Sequence, residues 1–100
     1  MPASEPGPSS KISVSREFKI RNPQGFHARP ASLFVKVASR YDADVMVEKG
    51  ESKVSGKSIM GLMTLAASCG TLLRVTAQGE DAAAVMDELS SLIENKFDEG

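Results

Sequence analysis

Gly25-Phe26-His27-Ala28-Arg29-Pro30-Ala31 marks the point where strand spacing gives way to helix spacing. Before it, Ile12, Val14, Phe18 and Ile20 alternate with Ser13, Ser15, Glu17 and Lys19, the two-residue period of a strand buried on one face, broken only by Arg16. The run Asn22-Pro23-Gln24-Gly25 supplies the turn that closes this strand. After it, Ala31, Phe34, Val35, Ala38 and Tyr41 recur at helical spacing and leave Lys36 and Arg40 for the outer face. His27, the one histidine of the chain, therefore stands at a helix start. Backbone amides there lack intrahelical partners and can hold an anion attached to the ring. The obvious anion is a phosphoryl group.

Working outward, Val45 and Val47 mark a second strand and Val54 a short third, with Lys49-Gly50-Glu51 as the hairpin turn between them. Ser58 can cap a second helix, whose apolar residues Ile59, Met60, Leu62, Met63, Leu65 and Ala66 run nearly all round it until Gly70 ends it. A fourth strand shows as Leu73, Val75 and Ala77 alternating with Arg74, Thr76 and Gln78. Ala82, Val85, Met86, Leu89, Leu92, Ile93 and Phe97 form the stripe of a final helix. The order is βαββαβα. Helices with one apolar stripe each must cover one face of the sheet, which gives a two-layer α+β sandwich.

A chain of 100 residues with 41% hydrophobic content suits one small domain. Three prolines, a glycine and three serines within residues 1–10 cannot bury enough surface to offset the entropy of ordering, so a disordered tail is expected there and the domain is expected over residues 11–98. The net charge of -1 supplies no basic field for nucleic acid. No apolar run approaches the roughly 20 residues of a membrane span, and the first residues lack the features of a signal peptide, so a cytoplasmic protein is expected. Cys69 is alone, which excludes an internal disulfide and a thiolate metal site built from this chain, and it is expected to be a small apolar filler near a helix end. Neither a metal nor a cofactor is called for.

Three stretches together resemble the HPr family, the histidine-containing phosphocarriers of the bacterial phosphoenolpyruvate-dependent phosphotransferase system. They are Gly25-Phe26-His27-Ala28-Arg29-Pro30-Ala31, Ala38-Ser39-Arg40-Tyr41-Asp42-Ala43-Asp44-Val45 and Lys57-Ser58-Ile59-Met60-Gly61-Leu62-Met63-Thr64-Leu65. The likeness covers residues 12 to 98. It implies an open-faced β-sandwich with a four-stranded antiparallel sheet and three helices. It also implies a carrier rather than an enzyme, which accepts a phosphoryl group from enzyme I at His27, on Nδ1, and passes it to sugar-specific EIIA-type acceptors. At Ser58 it implies phosphorylation by an ATP-dependent HPr kinase/phosphorylase. Phe26 stands where the family more often has a branched aliphatic residue, Gln24 stands where Asn or Ser is common, and the tail is extra.

The residues suit that chemistry on their own terms. Near pH 7 an imidazole is mostly neutral, the form that attacks phosphorus. Once loaded, the phosphoryl group finds amides of the first helical turn and the guanidinium of Arg29, while Pro30 stiffens the turn at a position where a missing N–H costs little. A carrier must also release its load, which argues for a half-exposed ring on a flat face. Ile59, Met60 and Met63 are candidates for that docking face, with Lys36, Arg40 and Lys57 as a positive rim for acidic partners. A phosphate at Ser58 would place about -1.5 to -2 charges beside this face. A monomer is expected. Two other readings compete: a purely regulatory module that binds a transcriptional regulator or metabolic enzyme when Ser58 is phosphorylated, and a ferredoxin-like domain with the same element order. The pairing of His27 with Arg29 favours the carrier over the first. The lack of a Cys-x-x-Cys motif and of a basic surface, with a sheet poor in aromatic residues, counts against the second.

Overall fold

The computed structural model describes residues 12–65 and 67–98. The expected tail over residues 1–10, Lys11 at the expected start of the domain, and Ala66 of the second apolar run lie outside the described residues. The chain forms β1 (Ser13–Lys19), α1 (Ala28–Ser39), β2 (Asp44–Lys49), β3 (Ser52–Ser55), α2 (Ile59–Thr64), β4 (Leu72–Gln78) and α3 (Ala82–Glu94), followed by a short turn of 3-10 helix at Lys96–Asp98. The strands make one antiparallel sheet in the order β1-β4-β2-β3. This is the α+β, four-stranded, three-helix arrangement in the order βαββαβα expected above.

Strand alternation decides which face is covered. Phe18, Val45, Val47, Leu73, Val75 and Ala77 point into the core. The open face carries Ser15 hydrogen-bonded to Thr76 at 2.6 Å, Arg74 paired with Glu17 at 3.4 Å and Lys53 paired with Glu48 at 3.7 Å. Arg16, the break in the β1 pattern, shares the parity of the inward residues. It is accommodated because its guanidinium reaches past the sheet to donate to Ser90 Oγ at 2.9 Å and to meet Asp87 at 3.4 Å on α3. Polar atoms that leave the apolar layer for partners at its rim avoid the cost of unpaired burial.

Three details differ from the sequence expectation. On α1 the buried residues are Pro30, Ala31, Phe34, Val37 and Ala38, and Val35 is only half-buried. Buried Pro30 widens the stripe toward Val37: at 100° per residue, the direction set by Pro30, Ala31, Phe34 and Ala38 together lies slightly nearer Val37 than Val35. Helix α2 stops at Thr64 rather than running on to Gly70. Its end is set from outside: Lys49 Nζ donates to Leu65 O at 2.9 Å, and the Ala67 carbonyl turns away to accept from Phe26 N–H at 2.9 Å. Finally, α3 ends at Glu94, so Phe97 joins the core from the short turn beyond α3 and not from the α-helix itself.

Lys96 and Phe97 reach that end point through positive φ angles of 55° and 54°. Left-handed backbone costs a residue with a Cβ about 1–2 kcal/mol. Replacing Lys96 by glycine removes this cost, offset in part by the greater freedom glycine gives the unfolded chain. Lys96→Gly is therefore expected to raise stability by up to about 1 kcal/mol in urea unfolding; an unchanged or lowered midpoint would contradict it.

The far end of α1 is clamped to α3. Arg40 pairs with Glu88, and the Tyr41 hydroxyl donates to the same carboxylate. That hydrogen bond, with desolvation and the charge of Glu88 adding to it, holds the Tyr41 pKa above the ordinary tyrosine value.

Candidate functional site

The loop from Asn22 to His27 is built to present one ring. Asn22 is fully buried, and its Nδ2 donates to the Gly25 carbonyl at 2.7 Å, while the Gly25 amide donates back to the Asn22 carbonyl at 3.1 Å. Gly25 has φ +69°, and a Cβ there would fall 2.2 Å from the Ala67 carbonyl oxygen and 2.7 Å from Ser68 Cα. The residue is thus glycine for two independent reasons, a left-handed backbone and the close approach of another chain segment. Phe26 then turns inward to pack edge-on against Phe34, with ring centroids 5.7 Å apart and planes at 86°.

His27 follows as the N-cap of α1, with extended backbone and a half-buried side chain that makes no cap hydrogen bond to its own helix. Its carbonyl accepts the first intrahelical bond, from Ala31 N–H at 3.0 Å. Pro30, at the third helical position, has no N–H. That leaves the amides of Ala28 and Arg29 as the helix-start donors beside the imidazole. Arg29 is exposed. A helix start with two such amides, and with an exposed arginine at its second position, is suited to an anion attached to the ring.

Three contacts fix how α2 lies relative to this site. Phe26 N–H bonds Ala67 O just past the end of α2, Lys49 holds Leu65 O, and Lys57 Nζ, at the start of α2, reaches Tyr41 O at 3.5 Å near the far end of α1. The two helices run in opposite directions, so α2 finishes beside the His27 loop and Ser58 lies at its other end. Six helical residues span about 9 Å, which keeps Ser58 out of direct reach of the imidazole. Ser58 caps α2 as expected, its Oγ accepting from Gly61 N–H at 3.0 Å. Between the two ends the apolar face is open: Met60 is 74% exposed, Met63 40% and Ile59 39%.

The candidate cations divide. Lys36 is exposed two turns along α1 from Arg29 and on the same face, since seven residues return the helix to nearly the same direction. Lys57 is exposed at the start of α2. Arg40 is committed to Glu88. Cys69 is exposed, its thiol directed to the Arg21 carbonyl at 3.8 Å, which corrects the expectation of a buried filler. The turn it occupies is held by Gly70 N–H to Ile20 O at 2.8 Å, Thr71 N–H to Ser68 O at 3.0 Å and Ser68 N–H to Thr71 Oγ1 at 3.1 Å.

The sequence profile described as "PTS HPr component phosphorylation site" matches residues 14–95. The chain belongs to the HPr family. The phosphocarrier protein HPr of Treponema pallidum is 41% identical over 86 residues, covering 86% of this chain and 98% of that protein. The crystal structure of an HPr from Thermoanaerobacter tengcongensis superposes with a TM-score of 0.84 at 42% identity, over 87% of this chain and 98% of that one. Crh of Bacillus subtilis, the "catabolite repression containing protein", was solved as a dimer with a swapping domain; it is 43% identical, with a TM-score of 0.68, over 83% of this chain and 95% of that one.

Membership of the HPr family makes this a phosphocarrier protein rather than an enzyme. Among the described residues no helix is long and apolar enough to cross a membrane, and no cluster of His, Cys, Asp and Glu could hold a metal ion. Two residues that shape this loop and the end of α2 carry little local mark of that role in the sequence. Asn22 belongs by sequence to the turn, and its one signal is that an Asn opening a turn often bonds backbone a few residues on. Lys49 sits in a hairpin, and nothing local marks it as the donor to the end of α2.

Proposed function

We propose that this chain accepts a phosphoryl group on His27 from phosphorylated enzyme I and hands it to EIIA-type acceptors of the phosphoenolpyruvate-dependent phosphotransferase system. The observation that carries the reading is the half-exposed imidazole at the start of α1, followed in the first helical turn by the Ala28 and Arg29 amides and by an exposed Arg29. The neutral ring nitrogen attacks phosphorus in line. A nitrogen–phosphorus bond forms, and the bond to the donor breaks with its electron pair returning to the donor. The amides and Arg29 then hold the phosphoryl oxygens by charge-assisted hydrogen bonds. Because the site is open to solvent on one side, the same steps run in reverse toward the next acceptor.

Ile59, Met60 and Met63 form the docking face in this reading, with Lys36 and Lys57 steering acidic partners. The protein works in the cytoplasm as a monomer, in contrast to the Crh dimer, and its folded unit is residues 11–98. Ser58 is the regulatory site for an ATP-dependent HPr kinase/phosphorylase. Incubation with enzyme I and phosphoenolpyruvate, and separately with ATP and the kinase, followed by intact mass before and after acid, tests both modifications. An acid-labile gain in the first case and an acid-stable one in the second are expected. No gain with enzyme I would overturn the carrier function. The relationship to Crh gives some weight to a purely regulatory module acting on a transcriptional regulator, but such a module has no use for an acceptor histidine paired with Arg29.

Aspartate is as good an N-cap as serine, so Ser58→Asp keeps the α2 cap while adding charge beside Met60 and Met63. The variant is expected to melt near the wild-type temperature and to take up phosphate from enzyme I about 10-fold more slowly at low salt. Equal rates for the two proteins would contradict a regulatory effect of charge at this position.

A further inference from the structure

We propose that Phe97 is a positioning residue for His27, delivered to its place by the left-handed turn that follows α3. This rests on the reading of His27 as the phosphoryl acceptor. After the Asn95 cap the cheapest course for the chain is to leave the surface as extended backbone. Instead Lys96 and Phe97 adopt φ angles of 55° and 54°, a conformation that bulky side chains rarely enter. The result is a Phe97 ring with no solvent exposure.

That ring lies against Phe26, with centroids 5.7 Å apart and planes at 58°. Phe34 meets the same ring edge-on from α1. The residue immediately before His27 therefore packs against two aromatic rings, one from α1 and one from the turn after α3. Its backbone is fixed as well, by Phe26 N–H to Ala67 O at 2.9 Å and His27 N–H to Gly25 O at 3.0 Å. These bonds fix the path of the loop. The packing of Phe26 fixes how far the loop sits above the core, and with it the direction of the bond from His27 to its ring. Cores are close-packed, so space opened beside Phe26 lets the loop sink and the imidazole shift. In-line transfer is sensitive to displacements of that kind.

The test compares Phe97→Ala, Phe97→Leu and a control, Val47→Ala, which truncates a fully buried side chain in the sheet. Unfolding midpoints are measured first, and all proteins are then assayed under conditions where each is folded. The readouts are hydrogen exchange of the His27 amide and the initial rate of phosphoryl uptake from phosphorylated enzyme I. Phe97→Ala is expected to speed His27 exchange beyond any effect of Val47→Ala and to slow uptake about 10-fold relative to that control, with Phe97→Leu recovering most of both. Should Phe97→Ala not fold, Phe97→Val takes its place under the same criteria. Equal His27 exchange in the Phe97 variant and the control, or uptake as fast as the control's, overturns the proposal. Absence of uptake by the wild-type protein instead refutes the carrier reading, and the exchange comparison alone then decides whether Phe97 positions His27.

Discussion

Gly25→Ala is expected to cost roughly 2–5 kcal/mol of stability, the sum of a left-handed alanine and the overpacking of a rigid contact. The added Cβ would stand 2.2 Å from the Ala67 carbonyl oxygen and 2.7 Å from Ser68 Cα, and backbone cannot swing aside as a flexible side chain can. Relief requires the 67–68 segment to separate from the loop, which breaks the Phe26 to Ala67 hydrogen bond and releases the residue before His27. Gly50→Ala is the matched comparison. Its φ is also positive, +59°, but nothing lies within 4 Å of the new Cβ, so only the backbone cost of about 1–2 kcal/mol applies. Urea unfolding of the two variants checks the difference, and equal losses would show that the close approach at Gly25 carries no weight.

His27→Ala is expected to bring phosphoryl uptake from enzyme I down to background while costing about 1 kcal/mol or less, because the side chain makes no capping bond to α1. Loss of transfer without loss of fold separates the chemical role of the ring from a structural one. Arg29→Ala retains the acceptor and removes one charge-assisted contact, worth about 1.5–3 kcal/mol, which corresponds to roughly 10–100-fold in rate. Rates of radiolabel incorporation with thermal unfolding curves for the same samples check both variants. Uptake by His27→Ala at the wild-type rate would place the phosphoryl group elsewhere.

Much of this site was legible in the sequence because its determinants are local. The change of period at His27, the serine ahead of the Ile59 run and the alternation in β1 and β4 each reflect a backbone preference that acts within a few residues. Arg16 looked like a flaw in β1 only because its partners, Ser90 and Asp87, belong to a helix much later in the chain. The end of α2 is hidden from the sequence for the same kind of reason: the apolar run continues past Thr64, but Lys49 and Phe26 claim carbonyls that a longer helix would have used. Phe97 fitted the α3 stripe by spacing, yet it reaches the core through a left-handed turn that periodicity cannot register. In each case tertiary partners overrode local propensity.

Proton–nitrogen correlation spectra recorded before and after loading with enzyme I and phosphoenolpyruvate test the central claim most directly. The largest amide shifts are expected at Ala28 and Arg29, together with a phosphorus-coupled nitrogen in the His27 ring, and only small changes at the Ser58 end of α2. An unchanged His27 ring, or dominant shifts remote from the start of α1, would contradict a phosphoryl group held there.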